Sequence, residues 1–281
     1  MPSFDTPEAI SVTAHVEAGS IRFAAGDRLD TTVEVRPRDP EKSLDVRAAK
    51  ETEVTYSGGS LVVKTPKPRN SLRRPGVVDV TVELPVGSDI EMTGAWAQVS
   101  GEGRLGEVRV KNSAGDVRFE STGSLRLTAS HGAVTVERVE GTAEITTSTG
   151  SVRVGTVEGA ATLKNSQGTT TVGSVFGELR VNGANGDIDI ARAGNSVTAT
   201  TAHGSLRVGE VVRGTVQLET SYGAIEIGIR EGTAAWLDAT SSSGQVRNML
   251  PSSEAPGTSE DSVKVRARTR YGNIDIVRAK P

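Results

Sequence analysis

The sequence predicts an all-β protein, specifically a parallel β-solenoid with about 18 residues per coil. Three observations favour this class: glycines recur at a fixed interval, apolar residues alternate after them, and most apolar residues are small. The glycines of segments such as "STGSVRV" and "AHGSLRV" are Gly115, Gly132, Gly150, Gly168, Gly186, Gly204 and Gly223, at steps of 17, 18, 18, 18, 18 and 19 residues. Such a period is typical of repeat proteins in which each copy is one structural unit.

Each repeat contains two short strands, because alternation follows both of its glycines. Val152 and Val154 represent one strand set, and Leu179 and Val181 represent the set that begins nine residues earlier in each unit. A period of two places such side chains on one face of a strand. In a solenoid the two sets face each other across a thin core, with equivalent strands about 4.8 Å apart. An antiparallel β-meander stays an alternative, but it needs a barrel or a second layer to cover its apolar face.

The segments outside the regular array are predicted in chain order. Residues 1–90 should form an irregular β segment, with a short helical turn near 43–50, that closes one end of the stack. Residues 91–281 should form the repeat array, interrupted by an exposed loop at 248–262 that is rich in Ser, Pro and acids. An uncovered end would present unpaired strand edges. Trp96 and Trp236, near the two ends of the regular coils, are predicted to plug the core there.

The corners and the outer face also follow the repeat. Two positions before the glycines stand Ser113, Ser130, Ser148, Ser166, Ser221 and Ser242. Backbone groups that leave the strand ladder need partners, and these hydroxyls are predicted to supply them. On the outer face, stacking would place Arg207 between Asp189 and Glu226, and Glu226 between Arg207 and Arg247. We interpret these rows as structural.

Composition excludes several functions. The 281 residues include no cysteine, which excludes disulfides, zinc thiolates and thiol catalysis. The net charge of −3 argues against a dedicated nucleic-acid binder, which concentrates positive charge. No stretch approaches the roughly 18 apolar residues of a membrane span. The start "MPSFDTPEAI" lacks the pattern of a signal peptide, so a cytoplasmic location is expected.

The tandem "S-x-G-x-[VIL]-x-[VI]" units, the opening "MPSFDTPEAI" and the lead-in "VDVTVELPVGSDIEM" resemble a bacterial family of unknown function. Its members are described as β-strand-repeat proteins or putative adhesins, and they are similar to the toastrack domains of envelope-stress proteins. The resemblance covers nearly the whole chain. It implies a β-solenoid-like fold and an interaction role, and it carries over no catalytic residue.

Two features are candidate binding sites. The segment "VKTPKPRNSLRRPG" forms a basic loop that could hold an acidic partner, a lipid headgroup surface or nucleic acid: Lys64, Lys67, Arg69, Arg73 and Arg74. The corner position before each glycine forms a column that could receive a partner chain or a glycan, and its candidate contacts are Trp96, His131, His203, Tyr222 and Tyr271. Within this column, His203 and Tyr222 should be neighbours.

The sequence offers no convincing reactive cluster. His131 and His203 lie four coils apart, about 19 Å, so they cannot share a zinc ion. Asp187 and Asp189 share a strand, but threonine, serine and arginine occupy the adjoining rungs, whereas catalysis needs carboxylates on neighbouring rungs. No catalytic residue, metal ligand or cofactor is therefore expected, and the chain is not expected to be an enzyme.

These observations favour a non-catalytic β-repeat scaffold for protein interaction or self-assembly. Two alternatives stay open. One is a polysaccharide-binding or polysaccharide-degrading β-helix protein, with a glycan as partner. The other is an envelope-stress-linked module that acts at a membrane surface through the basic loop. Neither specific nucleic-acid binding nor a transmembrane segment is expected.

Overall fold

The computed structural model describes residues 2–67, 74–250 and 262–279. The chain divides into two compact units, Met1–Glu140 and Gly141–Pro281. The repeat strands of both units pair in parallel and in register, one coil on the next. The predicted all-β parallel β-solenoid is thus confirmed, and the antiparallel meander is wrong for the repeats.

The first unit contains eleven of the described strands and one helix. Its elements are β1 (Ser3–Asp5), β2 (Ser11–Gly26), β3 (Asp30–Pro37), α1 (Ser43–Glu51), β4 (Glu53–Ser57), β5 (Ser60–Lys64), β6 (Val78–Pro85), β7 (Asp89–Leu105), β8 (Val108–Ala114), β9 (Val117–Thr122), β10 (Leu125–His131) and β11 (Val134–Val139).

Coils of the first unit stack on the long strands β2 and β7. These two strands run parallel from the Ser11–Asp89 pair to the Ala24–Glu102 pair. The two halves of β7 then pair with β8 and β9, which in turn pair with β10 and β11. On the other side, β5 and β6 pair in parallel with the two halves of β2. β2 therefore belongs to the stack of coils.

The end of the first unit beyond β5 and β6 is closed by antiparallel strands and by α1. β3 pairs with β6, β1 with β3, and β4 with β5, all antiparallel. The helix confirms the turn predicted near 43–50, and the carboxylate of its buried Asp45 accepts a hydrogen bond from the Val77 amide (2.9 Å). No helix in the described part of the chain is long and apolar enough to cross a membrane. The division of the chain at residue 90 stays a prediction.

The second unit contains fourteen described strands. They are β12 (Ala143–Thr149), β13 (Val152–Val157), β14 (Ala161–Gln167), β15 (Thr170–Val175), β16 (Leu179–Asn185), β17 (Ile188–Ala193), β18 (Val197–His203), β19 (Leu206–Val211), β20 (Gly214–Tyr222), β21 (Ile225–Ile229), β22 (Ala234–Ser243), β23 (Val246–Asn248), β24 (Ser262–Tyr271) and β25 (Ile274–Arg278).

The last two coils of the second unit are stacked out of chain order. Up to β20 and β21 each coil pairs with the next one in sequence. β24 and β25 then pair with β20 and β21, and β22 and β23 pair on the far side of β24 and β25. Of the loop predicted at 248–262, residues 251–261 lie outside the described residues.

This exchange corrects the predicted row of outer charges. Arg207 does lie between Asp189 (3.6 Å) and Glu226 (3.5 Å), as expected from the repeat. Arg247, however, does not neighbour Glu226. It forms an ion pair with Asp275 (2.6 Å), because β25 lies between β21 and β23.

Small branched side chains fill the core of the second unit. One inward row consists of Val154, Val172, Ile190, Val208 and Ile227, which lie in register on successive coils and are almost fully buried. Because every coil presents the same cross-section, a side chain that fits one coil also fits the next. The close packing of protein interiors therefore selects similar volumes at each repeat.

Gly204 shows why the repeated corners of the second unit carry glycine. Its φ is +145°, in the region that favours glycine. A Cβ atom built on it would lie 2.1 Å from the carbonyl oxygen of Gly186 on the neighbouring coil. Both the backbone conformation and the close approach of successive coils therefore require the missing side chain.

The polar groups that complete the corners come from the position three before the glycine. The Nδ2 group of Asn165 donates to the Gly150 carbonyl (3.0 Å), and the Thr220 hydroxyl donates to the Gly204 carbonyl (3.0 Å). Both side chains are buried, whereas Ser166 is exposed. The prediction gave this role to the serines, which is wrong because strand alternation turns the position two before the glycine outward.

A candidate partner-binding corner

Three aromatic rings, which we call the aromatic ladder, lie on one corner of the second unit: His203, Tyr222 and Tyr271. The register of β18, β20 and β24 places them on successive coils. The rings of His203 and Tyr222 are 5.0 Å apart between centroids and 4° from parallel. Those of Tyr222 and Tyr271 are 4.8 Å apart and 9° from parallel. These distances match the spacing of paired strands, so the backbone sets the stack.

The aromatic ladder is accessible to a partner. Tyr222 and Tyr271 are 50% and 52% exposed, and His203 is also exposed. Since near-parallel rings cover each other's faces, the ladder presents mainly ring edges and phenol hydroxyls. Polar residues flank it in register, with Asn185 beside His203 and Ser243 beside Tyr271. The result is a narrow amphipathic strip with fixed geometry.

The other two candidates in the predicted column, Trp96 and His131, belong to the first unit and do not touch. Ala114 is in register between them, paired with Trp96 on one side and His131 on the other. Trp96 is 62% exposed and Trp236 is 68% exposed. The prediction that these indoles plug the ends of the core is therefore wrong. Both occupy outward or corner positions, where alternation points the side chain into solvent.

The basic loop is only partly described. Arg69 and Arg73 lie outside the described residues, and Arg74 is exposed. Lys64 and Lys67 line a groove of 760 Å³ that also includes Glu51 and Glu53. Because acids and lysines line this groove together, its charge is mixed, which does not favour an anion over a cation.

The candidate acids have structural partners. Asp187 accepts a hydrogen bond through Oδ1 from the Ser205 amide on the next coil (2.7 Å). Asp189 lies beside Arg207, as described above. Within residues 2–67, 74–250 and 262–279, no three His, Asp or Glu side chains come together as a metal site. The arrangement fits the interpretation that these carboxylates support the stack.

Sequence reasoning missed that Tyr271 lies beside Tyr222. In chain order the "SSG" corner of Ser243 precedes the "RYG" corner of Tyr271, which would put serine next to Tyr222. The exchanged coils bring the two tyrosines together instead. The identity of Tyr222 and Tyr271 could have indicated this pairing, because aromatic rings stack favourably on neighbouring strands.

Stacked parallel coils with glycine corners define a β-solenoid repeat protein. A model of the Toastrack DUF4097 family matches residues 8–279, and the chain belongs to this family. The expected relationship to a toastrack-like family is thus confirmed. No curated protein matches the chain.

Several solved structures are similar to the chain at low sequence identity. The crystal structure of a putative adhesin from Parabacteroides merdae ATCC 43184 is 13% identical, covers 81% of this chain and 94% of its own, and has a TM-score of 0.50. A putative adhesin from Bacteroides fragilis NCTC 9343 is 14% identical over 98% and 95% of the two chains, with a TM-score of 0.37. A putative lipid binding protein from Parabacteroides distasonis ATCC 8503 is 12% identical over 99% and 96%, with a TM-score of 0.29.

Proposed function

We propose that this chain is a non-catalytic, adhesin-like scaffold that binds a protein partner through the aromatic ladder. The observation that carries the proposal is the fixed stack of three exposed rings, His203, Tyr222 and Tyr271. The similar Parabacteroides merdae protein is described as a putative adhesin, which agrees with a binding role.

The energetics of the ladder support this use. Tyrosine offers a large contact area with few rotatable bonds, and aromatic residues are enriched at the centres of interfaces. Here the rings are also held by their neighbours and by the strand ladder. A partner would therefore lose little side-chain entropy from this surface on binding.

The non-catalytic part of the proposal rests on how the polar groups are used. Asp187 holds a backbone amide of the next coil, and the ion pair beside it joins two rungs. Removing such a group should destabilise the stack of coils and should not affect the rate of any reaction. We therefore place the function in the exposed surface.

The ladder can be tested by replacing both tyrosines with serine, the residue that stands at the same corner in Ser243. We expect wild-type protein, immobilised and exposed to extract of its native cells, to retain at least one specific protein. The Tyr222→Ser/Tyr271→Ser variant should retain it at least about 10-fold less, which corresponds to a lost interface hot spot. Quantitative mass spectrometry of the eluates gives the ratio.

Phe176→Ser provides the matched control, because Phe176 is also 50% exposed and lies away from the ladder. This variant should retain the same protein as wild type. Light scattering after size exclusion would detect self-assembly in the same samples. Monomeric protein with no partner, or equal retention by all three proteins, would contradict the proposal.

A further inference from the structure

An exposed tryptophan stands among polar side chains on the outer face of the last three stacked coils. Trp236 and Asp238 point outward from β22. In register beside them lie Lys264 and Arg266 of β24, and beyond these Thr215 and Gln217 of β20. We call these six residues the Trp236 platform. They form a grid of three rungs by two positions and line a concavity of 410 Å³.

The Trp236 platform carries positive charge. Asp238 is the acid of the grid, and its carboxylate is shared by Arg268 (2.9 Å) and Arg266 (3.7 Å). Within the described residues Lys264 has no ion-pair partner. Glu219 of β20 pairs in register with Arg268, so among the described residues two carboxylates face these three cations of β24. One positive charge is left over, and the surface can therefore accept negative charge from a ligand.

The surface continues across further coils. A second concavity of 220 Å³ shares Gln217 and Arg266 with the first and extends over Thr198 and Thr200 of β18. An elongated ligand lying along the stack would therefore pass from the cations of β24 to the hydroxyl and amide groups of β20 and β18, where the carboxylate of Glu219 also lines the concavity. Paired strands are about 4.7–4.9 Å apart, which is close to the length that one sugar adds to an extended polysaccharide.

We propose that the Trp236 platform binds an acidic polysaccharide whose sugars bear carboxylates. One sugar ring would lie on the indole of Trp236, because the C–H face of a pyranose is attracted to the electron-rich face of an aromatic ring. Lys264 and Arg266 would hold the carboxylate of a neighbouring sugar. Thr215 and Gln217 would bind hydroxyls, for which they offer both donors and acceptors.

A single-stranded nucleic acid fits the platform less well. Such ligands need aromatic rings for successive bases together with a continuous row of cations. The outer face of β24 does carry a row of cations, Lys264, Arg266, Arg268 and Arg270. The described register neighbours of Trp236 and Asp238 are lysine, arginine, threonine and glutamine, so no second aromatic ring lies beside Trp236 for the next base. The platform also uses none of the residues of the aromatic ladder, so either proposal can fail without the other.

The test uses the full chain and a hexamer of galacturonic acid as the probe, with a neutral gluco-oligosaccharide of equal length as the comparison. Isothermal titration calorimetry should detect binding of the acidic hexamer, weaker binding of the neutral one, and a loss of affinity as salt is raised. Trp236→Ala should weaken binding at least about 10-fold and Lys264→Gln several-fold. Trp236→Tyr, which keeps an aromatic ring, should retain part of the affinity.

Trp96→Ala is the matched control, because Trp96 is comparably exposed and lies outside the platform. It should bind the hexamer as wild type does. The proposal is overturned if the hexamer does not bind, or if the neutral sugar binds as tightly. It is also overturned if the two Trp236 variants bind like wild type, or if an oligothymidylate binds more tightly than the hexamer. Circular dichroism of each variant confirms that it is folded.

Discussion

At the scale of single residues, the inward corner position decides how tightly neighbouring coils are joined. Asn165 donates to the Gly150 carbonyl and accepts from the buried hydroxyl of Thr147 (2.9 Å), so one side chain satisfies two polar groups of the neighbouring coil. A buried polar group that loses its partner pays its desolvation cost. The adjacent Ser166 is exposed, and water can replace whatever it contacts.

Asn165→Leu should therefore lower the free energy of unfolding by about 3 kcal/mol, because leucine keeps the branched shape of asparagine but leaves the carbonyl and hydroxyl unpaired. Ser166→Ala, one residue away, should change it by less than about 0.5 kcal/mol. Urea unfolding followed by circular dichroism measures both. If Ser166→Ala lowered the free energy of unfolding more than Asn165→Leu, the serines and not the inward residues would be the partners of the corner backbone.

At the scale of elements, the antiparallel closure of the first unit depends on ionised carboxylates. The Arg38 guanidinium holds the pKa of Asp79 on β6 below its usual range, and the Ser20 hydroxyl acts in the same direction. Likewise the Arg28 guanidinium lowers the pKa of Glu83. A carboxyl whose pKa is lower in the folded state stabilises that state above its unfolded pKa. This contribution is lost as pH falls through the folded value.

Acid should therefore loosen the pairing of β3 with β6 before it loosens the coils. We expect hydrogen exchange of residues 30–37, corrected for the intrinsic rate, to lose protection as pH falls below the usual carboxyl range. Residues 179–185 of β16 should keep their protection from exchange to lower pH. Asp79→Asn should reduce protection of 30–37 at neutral pH and flatten its pH dependence. Parallel loss in both segments would show that the closure has no acid sensitivity of its own.

The same elements show what the sequence could and could not predict. Alternation over one fixed period predicted the repeat strands, because each coil must bury the same positions. The helix near 43–50 was also predicted. The antiparallel partners of β5 and β6 were not, since β1, β3 and β4 lack the repeat and their pairing depends on which edge is left uncovered.

At the scale of the whole second unit, the order of the coils in space differs from their order in the sequence. Every coil carries the same glycine and alternation pattern, so each fits equally well on any other. Periodicity therefore cannot decide whether β22 or β24 pairs with β20. The difference lies in burial. Val263, Val265 and Ala267 of β24 are almost fully buried, whereas the inward residues of β22 are only half-buried. β24 thus lies inside the stack and β22 outside it, which brings Tyr271 beside Tyr222.

Protection from hydrogen exchange should therefore follow spatial order. β24 pairs with strands on both sides, while among the described strands β22 pairs with β24 on one side only. Because local opening is easiest where backbone bonds and buried contacts are fewest, we expect residues 234–243 to exchange at least about 10-fold faster than residues 262–271, although the latter lie nearer the chain terminus. Mass spectrometry of peptides from these two segments measures the ratio. If β22 were instead the better protected strand, the exchanged coils would be refuted, together with the stack of Tyr222 on Tyr271 and the platform around Trp236.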